Sequence, residues 1–292
     1  MSEQYPLGRA ITIPEDFTVY TIADIHGVHS GLVAVLRKAR LVDVGDHWCA
    51  PARTALVVLG DSIDRGTHSL AVLDLLTNLR AEAAGAGSVV ALLEGNHEQI
   101  ARDGLSGQVD FFAMWLRVGG MQTLRDIGLD EDSRALARGI SAVRSAVDGL
   151  APAFRPFLYA VAPYARFRDI TLVHAGWQAN VPDLASYAAG SDRIWLRDEF
   201  LVGADLDSPA YHAYATAGLA RLVVGHTPIG PALFQDGRVF LIDSNCAASP
   251  DMDTPPQMTL VRLPDDPRAP LAESELTVVS TADAPDRQQA RR

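Results

Sequence analysis

Residues 57–66 read VVLGDSIDRG, and this stretch decides how the rest of the chain is interpreted. Three apolar residues lead into a glycine, and Asp61, Asp64 and Arg65 follow within five positions. An apolar run that ends abruptly in charged residues is typical of a buried strand reaching the edge of its sheet, where the next turn faces a crevice. The same residues also fit an ordinary strand-to-helix turn, with Asp61 as helix cap and an exposed ion pair between Asp64 and Arg65.

Five further apolar runs share the length and composition of the run before Asp61. Each is short and rich in β-branched residues, as strands are. Together with 55–61, they lie at 18–24, 89–96, 170–176, 222–227 and 239–245. The segments between the first three runs, SGLVAVLRKAR and HSLAVLDLLTNLRAEAA, have helical periodicity. This β-α-β-α-β order predicts an α/β fold.

Two parts of the chain fall outside this alternation. Between Asn96 and His174 the sequence is too long for one crossover and has the pattern of several helices, so we predict a helical insertion at about 103–160. Residues 264–292 mix prolines, acids and arginines, which predicts an extended or disordered tail with one edge strand at ELTVV. The main domain is therefore expected to span 1–263.

Composition limits where the chain works and what it binds. Its 292 residues carry a net charge of −11, a pI near 5.1 and a mean hydropathy of +0.07, which do not suit a basic surface for a nucleic acid polymer. The two cysteines, Cys49 and Cys246, lack the spacing of a disulfide framework or a thiolate zinc site. The start of the chain does not resemble a signal peptide and no segment is long and apolar enough to cross a bilayer, so we expect a cytoplasmic protein with no membrane partner.

Polar side chains that can bind metals follow every one of the six apolar runs. In an open α/β sheet the carboxyl ends of strands converge on one crevice, so residues remote in sequence meet there. One histidine after one strand is most often a packing residue, but a metal site explains all of these strand ends together. The residues are Asp24, His26, Asp61, Asp64, Asn96, His97, His174, His226 and Asp243.

This set of side chains indicates which metals would bind. Aspartate, asparagine and histidine without cysteine suit manganese, iron or zinc better than calcium, which prefers oxygen ligands alone. The set is too large for one ion with an open position. It fits two divalent ions about 3.5 to 4 Å apart that share a bridging carboxylate, an arrangement that performs in-line displacement at phosphorus through a bridging hydroxide.

The motifs DIHG, GDSIDRG, GNHE, VHAG and GHT follow one another in this order over most of the chain. In them the chain resembles the calcineurin-like metallophosphoesterases, specifically the PPP-type phosphoprotein phosphatases and their bacterial serine/threonine phosphatase relatives. The pair GDxxDRG and GNHE is the most specific part of the match. The resemblance implies a four-layer α/β/β/α fold, a β-sandwich flanked by helices, with the site at the strand ends and the inserted helices as a wall.

The resemblance also implies the ligands of two divalent metal ions. Three residues would hold the first ion, namely Asp24, His26 and Asp61. Four would hold the second, namely Asp61, Asn96, His174 and His226. Asp61 would therefore bridge the two ions. Manganese is the expected metal, with iron or zinc as the alternatives.

The resemblance assigns the other polar residues to substrate binding and proton transfer. Arg65 would bind the phosphate, Asn96 would contact it as well as a metal ion, and Arg197 in IWLRDEF would supply a second guanidinium. His97 would protonate the leaving oxygen, and Asp64 would orient His97 and support its charged form.

Two positions depart from the family pattern. Arg193 lies four residues before Arg197 and is of the same type, and the usual flanking residues are not all present. In IDSNCAASPD, Asp243 is not followed closely by the glycine that relatives commonly have, so we predict a supporting role at most for Asp243. Asn245 can adopt the left-handed turn that the missing glycine would allow.

The predicted function is metal-dependent hydrolysis of phosphomonoesters by direct attack of the bridging hydroxide, without a covalent phosphoenzyme. The expected substrate is a protein phosphorylated on serine, threonine or tyrosine, or a small phosphoester. A dinucleotide polyphosphate hydrolase is an alternative, because the related diadenosine tetraphosphatases share these motifs, and an adenine pocket at 103–160 would distinguish it. A catalytically silent phosphate-binding module is a second alternative, but it predicts the loss of a ligand or of the acid, and none is missing.

Overall fold

The structure is a computed structural model that describes residues 9–177, 181–190, 192–197, 221–234, 237–247, 255–266 and 268–282. These residues form eleven strands in two sheets, together with nine α-helices and a few shorter helical turns. None of the described helices is both long enough and apolar enough to cross a membrane.

The first sheet contains the parallel strands that the β-α-β-α-β pattern predicts. Five described strands form it, in the order β11 (Glu275–Ser280), β10 (Gln257–Arg262), β2 (Thr18–Ile22), β3 (Thr54–Val58) and β4 (Val89–Leu92). β2, β3 and β4 run parallel, while β10 runs antiparallel to both of its neighbours. The crossovers between the parallel strands are α1 (His29–Lys38) and α2 (Ser69–Gly85).

The second sheet contains the later predicted strands. Six described strands form it, in the order β1 (Ile11–Ile13), β5 (Ala165–Phe167), β6 (Ile170–Val173), β7 (Arg221–Val224), β9 (Val239–Leu241) and β8 (Ala232–Phe234). β6, β7 and β9 run parallel, so their carboxyl ends lie at the same edge of the sheet.

Both faces of each sheet are buried, which produces four layers. Along β3, Val57 packs in a core shared by the two sheets, whereas Leu56 points the other way into a core with α1 and α2. Along β6, Leu172 faces the shared core and Val173 faces a third cluster that includes side chains of α9 (Leu184–Ala189). Successive residues of a strand point to opposite faces, so this alternation fills both sides. The predicted α/β/β/α fold is confirmed.

All six predicted strands are present, and each ends two to four residues earlier than predicted. The residues after four of them include a side-chain-bearing residue with left-handed backbone. These are His26, Asp61, His226 and Asn245, with φ of 48°, 51°, 65° and 62°. A positive φ is incompatible with an extended strand, so the apolar run ends before the motif that follows it.

The segment predicted as a helical insertion is helical and lies after β4. It contains α3 (Asn96–Ser106), α4 (Val109–Trp115), a π-helical turn (Leu116–Gly120), α5 (Met121–Ile127), α6 (Arg134–Ala137), α7 (Ile140–Leu150) and α8 (Phe154–Tyr159). The apolar residues of these helices pack in the same core as α1 and α2. The insertion therefore extends the outer helical layer on the first sheet.

The C-terminal segment predicted as a tail belongs to the fold for as far as the structure describes it. The residues ELTVV lie in β11, the edge strand of the first sheet. Leu271 and Thr281 are fully buried, and the Thr281 hydroxyl donates to the carbonyl of Cys246 at 2.7 Å. The folded region thus passes the predicted limit at 263 because the segment buries side chains of its own; residues 283–292 lie outside the described residues.

Candidate functional site

The polar residues predicted from the strand ends line one buried crevice. None of them is more than 5% exposed. They are Asp24, His26, Asp61, Asp64, Asn96, His97, His174, His226 and Asp243. Burying so many charged or polar groups is costly unless each has a partner, so their accumulation at one edge requires an explanation beyond packing.

The backbone conformation after the strands directs these side chains toward one another. Five of the predicted site residues have positive φ, namely His26, Asp61, Asp64, Arg65 and His226. A residue with a Cβ atom loses roughly 1 kcal/mol or more in this conformation. Such residues persist where the surrounding structure fixes them, which is common at functional sites.

One group of four side chains could hold a metal ion. Asp24, Asp61, His174 and His226 each offer an atom, and these atoms all lie within 4.8 Å of one another. Nε2 of His174 is 3.6 Å from an oxygen of Asp61 and 3.2 Å from Nδ1 of His226. The side-chain oxygen of Asn96 lies 3.1 Å from the same Nε2. The group therefore contains three of the four residues predicted for the second metal ion, together with Asp24. The fourth predicted residue, Asn96, contacts the group through His174.

A second group shares Asp61 with the first. His26, Asp61 and His97 offer atoms within 4.8 Å of one another. One oxygen of Asp61 lies 3.8 Å from Nε2 of His26 and 3.9 Å from Nε2 of His97. Nε2 of His26 is also 3.6 Å from an oxygen of Asp24, so Asp24 lies next to both groups. These two groups differ from the two predicted ligand sets, because the second group includes His97.

The hydrogen bonds of the histidines indicate that these groups fit divalent cations. Nδ1 of His26 donates to the carbonyl of Ile63 at 3.0 Å, and Nδ1 of His174 donates to the carbonyl of Leu59 at 2.8 Å. In the neutral imidazole the proton is then on Nδ1, so each Nε2 directs a lone pair at the Asp61 carboxylate. Nε2 of His26 is buried and has no hydrogen-bond partner among the described residues. A cation between these lone pairs and the carboxylate would satisfy both.

Without a cation, the buried crevice disfavours the charged forms of its own aspartates and histidines. Burial raises the pKa of Asp24 well above its usual value, and the nearby Asp243 and Asp61 raise it further. Burial also raises the pKa of Asp61, with Glu98 as the next cause. Burial lowers the pKa of His26, and the Arg65 guanidinium lowers it further. Neutral imidazoles are the form that ligates metals, so this environment favours ligation by histidine.

A third arrangement, formed by His97, Asp64 and Arg65, lies beside the ligand groups. Nδ1 of His97 is 2.8 Å from an oxygen of Asp64. On the other side of the ring, Nη2 of Arg65 donates to Nε2 of His97 at 3.3 Å. Burial raises the pKa of Asp64 to about 7, and burial lowers the pKa of His97. The contact with Asp64 orients the imidazole so that Nε2 faces the guanidinium. A phosphoryl group bound by Arg65 would therefore lie next to Nε2.

The model of one protein family covers most of the chain. This family model is described as calcineurin-like phosphoesterase, and it matches residues 17–240 of the chain. This chain belongs to the calcineurin-like phosphoesterase family. The matched range contains all the predicted metal ligands as well as His97, Asp64 and Arg65.

Two relatives of this phosphoesterase are named as protein phosphatases. Shewanella-like protein phosphatase 2 of Arabidopsis thaliana is 24% identical over 255 residues, which cover 70% of this chain and 65% of that protein. Serine/threonine-protein phosphatase 1 of Salmonella typhimurium is 35% identical over 102 residues, which cover 35% of this chain and 38% of that protein. The chain thus spans less than two thirds of the length of either relative.

A solved structure supports the fold. The crystal structure of the cold-active protein-tyrosine phosphatase of a psychrophilic Shewanella species matches with a TM-score of 0.54 and 20% identity, covering 95% of this chain and 85% of that chain. The match therefore extends along nearly the whole chain of the phosphoesterase.

The two candidate arginines of the phosphoesterase lie in different environments. Arg193 is buried, forms an ion pair with Glu94 and donates to the carbonyl of Gly190. Arg197 is exposed, and its charge contributes to the lowered pKa of His97 after the larger effects of burial and of other charged groups. Arg193 is thus occupied by Glu94, and the role of Arg197 as the second phosphate-binding arginine stays a prediction.

Sequence reasoning missed the role of Glu98, the last residue of GNHE. Its buried carboxylate accepts hydrogen bonds from the backbone N–H groups of Gly95 at 3.0 Å, Asp61 at 2.9 Å and Ser62 at 2.8 Å. Glu98 therefore joins the turn that carries Asp61 to the turn that carries His97. Its position three residues after Gly95 is that of the glutamate in a capping box, whose side chain accepts from the N-cap backbone N–H, and that spacing was a signal for this role.

Proposed function

We propose that this phosphoesterase removes phosphate from phosphorylated proteins. The single observation that carries the proposal is that Arg65 and the Asp64–His97 pair lie beside two groups of metal-ligand type that share Asp61. A phosphate-binding cation and a proton donor next to a metal centre are the parts that hydrolysis of a phosphomonoester needs. The names of the Arabidopsis and Salmonella relatives support a phosphoprotein over a dinucleotide polyphosphate as substrate.

The proposed roles follow from the chemistry of each side chain. Divalent ions held by Asp24, His26, Asp61, Asn96, His174 and His226 would supply Lewis acidity toward the phosphoryl group and lower the pKa of a water molecule. The guanidinium of Arg65 would bind two phosphoryl oxygens through its planar fork of N–H donors, with Arg197 and the amide of Asn96 as further contacts.

The leaving group needs a proton, and His97 is proposed to deliver it. Asp64 accepts from Nδ1 of His97, so an added proton on the ring is carried by Nε2 on the side that faces Arg65. The Asp64 carboxylate would stabilise the imidazolium until Nε2 donates to the departing oxygen. Asp243 is proposed to have only a supporting role, because its carboxylate accepts from the backbone N–H of Asn245.

Manganese is the proposed metal and the cytoplasm the proposed location. The mixture of imidazole nitrogen and carboxylate oxygen supports Mn²⁺, with iron or zinc as the alternatives.

The experiment that tests the function uses metal-free protein reloaded with one metal at a time. The protein is stripped with a chelator, its metal content is checked by elemental analysis, and Mn²⁺, Fe²⁺ or Zn²⁺ is then added. Each form is assayed against phosphoserine, phosphothreonine and phosphotyrosine peptides and against diadenosine tetraphosphate. We expect no turnover without metal and the highest kcat/KM for a phosphopeptide with Mn²⁺.

Two outcomes would contradict the proposal. Full turnover in protein shown to be free of metal would exclude the metal-dependent mechanism. A kcat/KM for diadenosine tetraphosphate above that for every phosphopeptide would assign the chain to the dinucleotide polyphosphate hydrolases. An Arg65→Ala protein serves as the control for contaminating phosphatases, since its loss of activity ties the turnover to this chain.

A further inference from the structure

We infer that Trp115 and Thr123 are positioning residues that fix the carboxylate of Asp64 for proton transfer by His97. The inference deepens the proposed function and rests on it. Both residues lie in the helical insertion, outside every motif that identifies the site in the sequence. The helical insertion would therefore take part in the chemistry as well as bordering the site.

Three side chains donate hydrogen bonds to the Asp64 carboxylate. The Thr123 hydroxyl donates to Oδ1 at 2.6 Å, and Nε1 of Trp115 donates between the two oxygens at 3.0 and 3.1 Å. His97 donates from Nδ1 to Oδ2 at 2.8 Å. With Thr123 on Oδ1 and the indole shared, Oδ2 is the oxygen that remains for His97. The donors of the insertion thereby decide which way the carboxylate faces.

Thr123 also holds the backbone of Asp64, together with Ser69. Its N–H is 3.1 Å from the hydroxyl of Thr123 and 3.1 Å from the hydroxyl of Ser69, and the two hydroxyls are 3.0 Å apart. Asp64 has φ of 74°, a left-handed conformation that an aspartate adopts at a cost. Hydrogen bonds to both its backbone and its side chain offset this cost and leave the side chain one orientation.

The turn between α4 and α5 brings Trp115 and Arg65 into place together. It is a π-helical turn, and such turns often occur at functional sites. A Cβ at Gly120 would lie 2.5 Å from the Trp115 ring, and a Cβ at Gly119 would lie 2.7 Å from the backbone nitrogen of Arg65. The carbonyl of Gly119 accepts from that nitrogen at 3.3 Å. The two glycines therefore let the insertion contact the Asp64–Arg65 turn directly.

Trp115 would also be buried if it served packing alone, so the test has to separate the two roles. Its ring is fully buried and stacks at 6.3 Å on Phe154, with Phe112 at its edge. Trp115→Phe retains most of this apolar contact and removes only the N–H donor. Thr123→Val removes the hydroxyl at nearly constant shape, and Thr123→Ser restores a hydroxyl.

The measurement is the dependence of the rate on the leaving group. A general acid matters most when the departing oxygen is basic, as in a phosphoserine peptide, and least for p-nitrophenyl phosphate. We expect Trp115→Phe and Thr123→Val to lower kcat on the phosphoserine peptide about 10- to 100-fold, to change kcat on p-nitrophenyl phosphate less than about 3-fold, and to leave KM and metal content unchanged. Thr123→Ser should recover most of the loss.

Trp48→Phe is the matched control. Nε1 of Trp48 is buried and has no partner among the described residues, so this change removes an indole N–H that positions nothing. We expect it to leave the ratio of the two rates at the wild-type value. Two results would overturn the inference by showing that the residues serve packing alone. One is an equal loss of kcat on both substrates in Trp115→Phe, and the other is a Thr123→Ser protein whose kcat is as low as that of Thr123→Val.

A readout independent of turnover separates this inference from the proposed function. The indole N–H resonance of Trp115, assigned by its disappearance in Trp115→Phe, should exchange slowly with solvent and shift strongly in Asp64→Asn. If the wild-type protein hydrolyses no phosphomonoester with any metal, the function fails while this resonance still reports the hydrogen bond. If the protein is active but the resonance exchanges fast and ignores Asp64→Asn, the positioning role fails alone.

Discussion

Asp61 is the residue on which both groups of ligand type depend. One of its oxygens lies 3.6 Å from His174, and the other lies 3.8 Å from His26. We predict that Asp61→Asn is the most damaging change of a single ligand, because an amide binds divalent metals more weakly than a carboxylate and two ions would lose the same ligand. Loss of an outer partner of a metal ligand already costs about 10- to 100-fold, so this loss should exceed about 100-fold in kcat/KM.

The measurement for Asp61→Asn combines kinetics with metal analysis after gel filtration. Asp148→Asn is the control, since Asp148 is an exposed carboxylate that pairs only with Arg155 in the described part of the chain. We expect the control to retain both metal ions and its rate. An Asp61→Asn protein with two ions and a near-normal rate would remove Asp61 from the bridging position.

His97 allows a second test at the same scale, because two roles are open to it. It was predicted as the acid, yet its Nε2 lies 3.9 Å from Asp61 and within a group that could hold a metal ion. We predict that His97→Asn retains both ions and loses about 10² to 10⁴ in rate on a phosphoserine peptide, with a much smaller loss on p-nitrophenyl phosphate. The physical reason is that p-nitrophenolate leaves without a proton.

The contrary outcomes for His97 are distinct. Loss of one metal ion in His97→Asn would make His97 a ligand, as its proximity to His26 and Asp61 allows. Equal losses on both substrates with full metal content would reject the acid role. Elemental analysis of the same sample that is assayed decides between them.

A site residue could be predicted from the sequence when a local pattern marks it, and could not when only a contact between distant segments does. Asp24, His174 and His226 were predictable because each follows a strand, and parallel strands bring their carboxyl ends together. Trp115 and Thr123 were not, since they contact Asp64 across 51 and 59 positions and occur in segments with an ordinary helical pattern. Nothing local in those segments shows which side chain the fold will bring to an aspartate.

At the scale of elements, the same distinction separates the predicted strands from the missed ones. The six predicted strands are apolar runs, and nearly every residue of β3, β6 and β9 is buried. An apolar run of this kind can be recognised from the sequence alone. β1, β5 and β8 have three residues each, too few for a period of two to stand out. β1 pairs with β5 and β8 pairs with β9, so only the tertiary structure reveals them. β10 was missed despite its six residues, because it is an antiparallel strand between β2 and β11 and lies outside the β-α-β alternation.

A buried ion pair connects two elements at the edge of the site. Glu94, two residues after β4, pairs with Arg193 in the short helical turn Asp192–Ile194 and with Arg102 in α3. We predict that Arg193→Ala lowers the free energy of unfolding by about 1 to 3 kcal/mol, because the buried Glu94 carboxylate loses one of its two partners and keeps Arg102. Urea unfolding followed by circular dichroism measures this value.

Arg197→Ala is the matched control for Arg193→Ala, since it removes an exposed arginine four residues away. Its unfolding free energy should stay within about 0.5 kcal/mol of the wild type. Its KM for a phosphopeptide should rise, because the proposed phosphate contact would be lost. If Arg193→Ala were as stable as Arg197→Ala and raised KM more, Arg193 would be the second phosphate-binding arginine.

At the scale of the whole molecule, two stacked sheets bring the predicted ligand residues of distant segments to one buried edge. The first sheet contributes the turns after β2, β3 and β4, and the second sheet contributes those after β6, β7 and β9. The accumulation of acids there makes the metal-free fold sensitive to pH. Burial is the first cause of the raised pKa of Asp24, Asp61, Asp64, Glu98 and Asp243.

The sign of the pH dependence follows from which state binds more protons. A carboxyl whose pKa is raised on folding stays protonated in the folded state after it has ionised in the unfolded state, so stability falls as pH rises from about 4 through the folded pKa, which is about 6 for Asp243 and about 7 for Asp64. The buried histidines act oppositely below about pH 6.5, because only the unfolded state then protonates them. These are His26, His97, His174 and His226.

Above about pH 7.5 the histidines are neutral in both states, and the slope is set by the carboxyls whose pKa is raised furthest, Asp24 and Asp61. We therefore predict that the metal-free protein loses stability between pH 7.5 and pH 8.5, by about 1.4 kcal/mol per pH unit for each carboxyl that remains protonated only in the folded state. Urea unfolding in EDTA at the two pH values measures the slope. Asp24→Asn should flatten it, because the amide has no proton to lose, whereas Asp148→Asn should not. Stability that stays constant or rises over this range would show that these carboxylates are ionised in the metal-free fold, with some other positive charge compensating them.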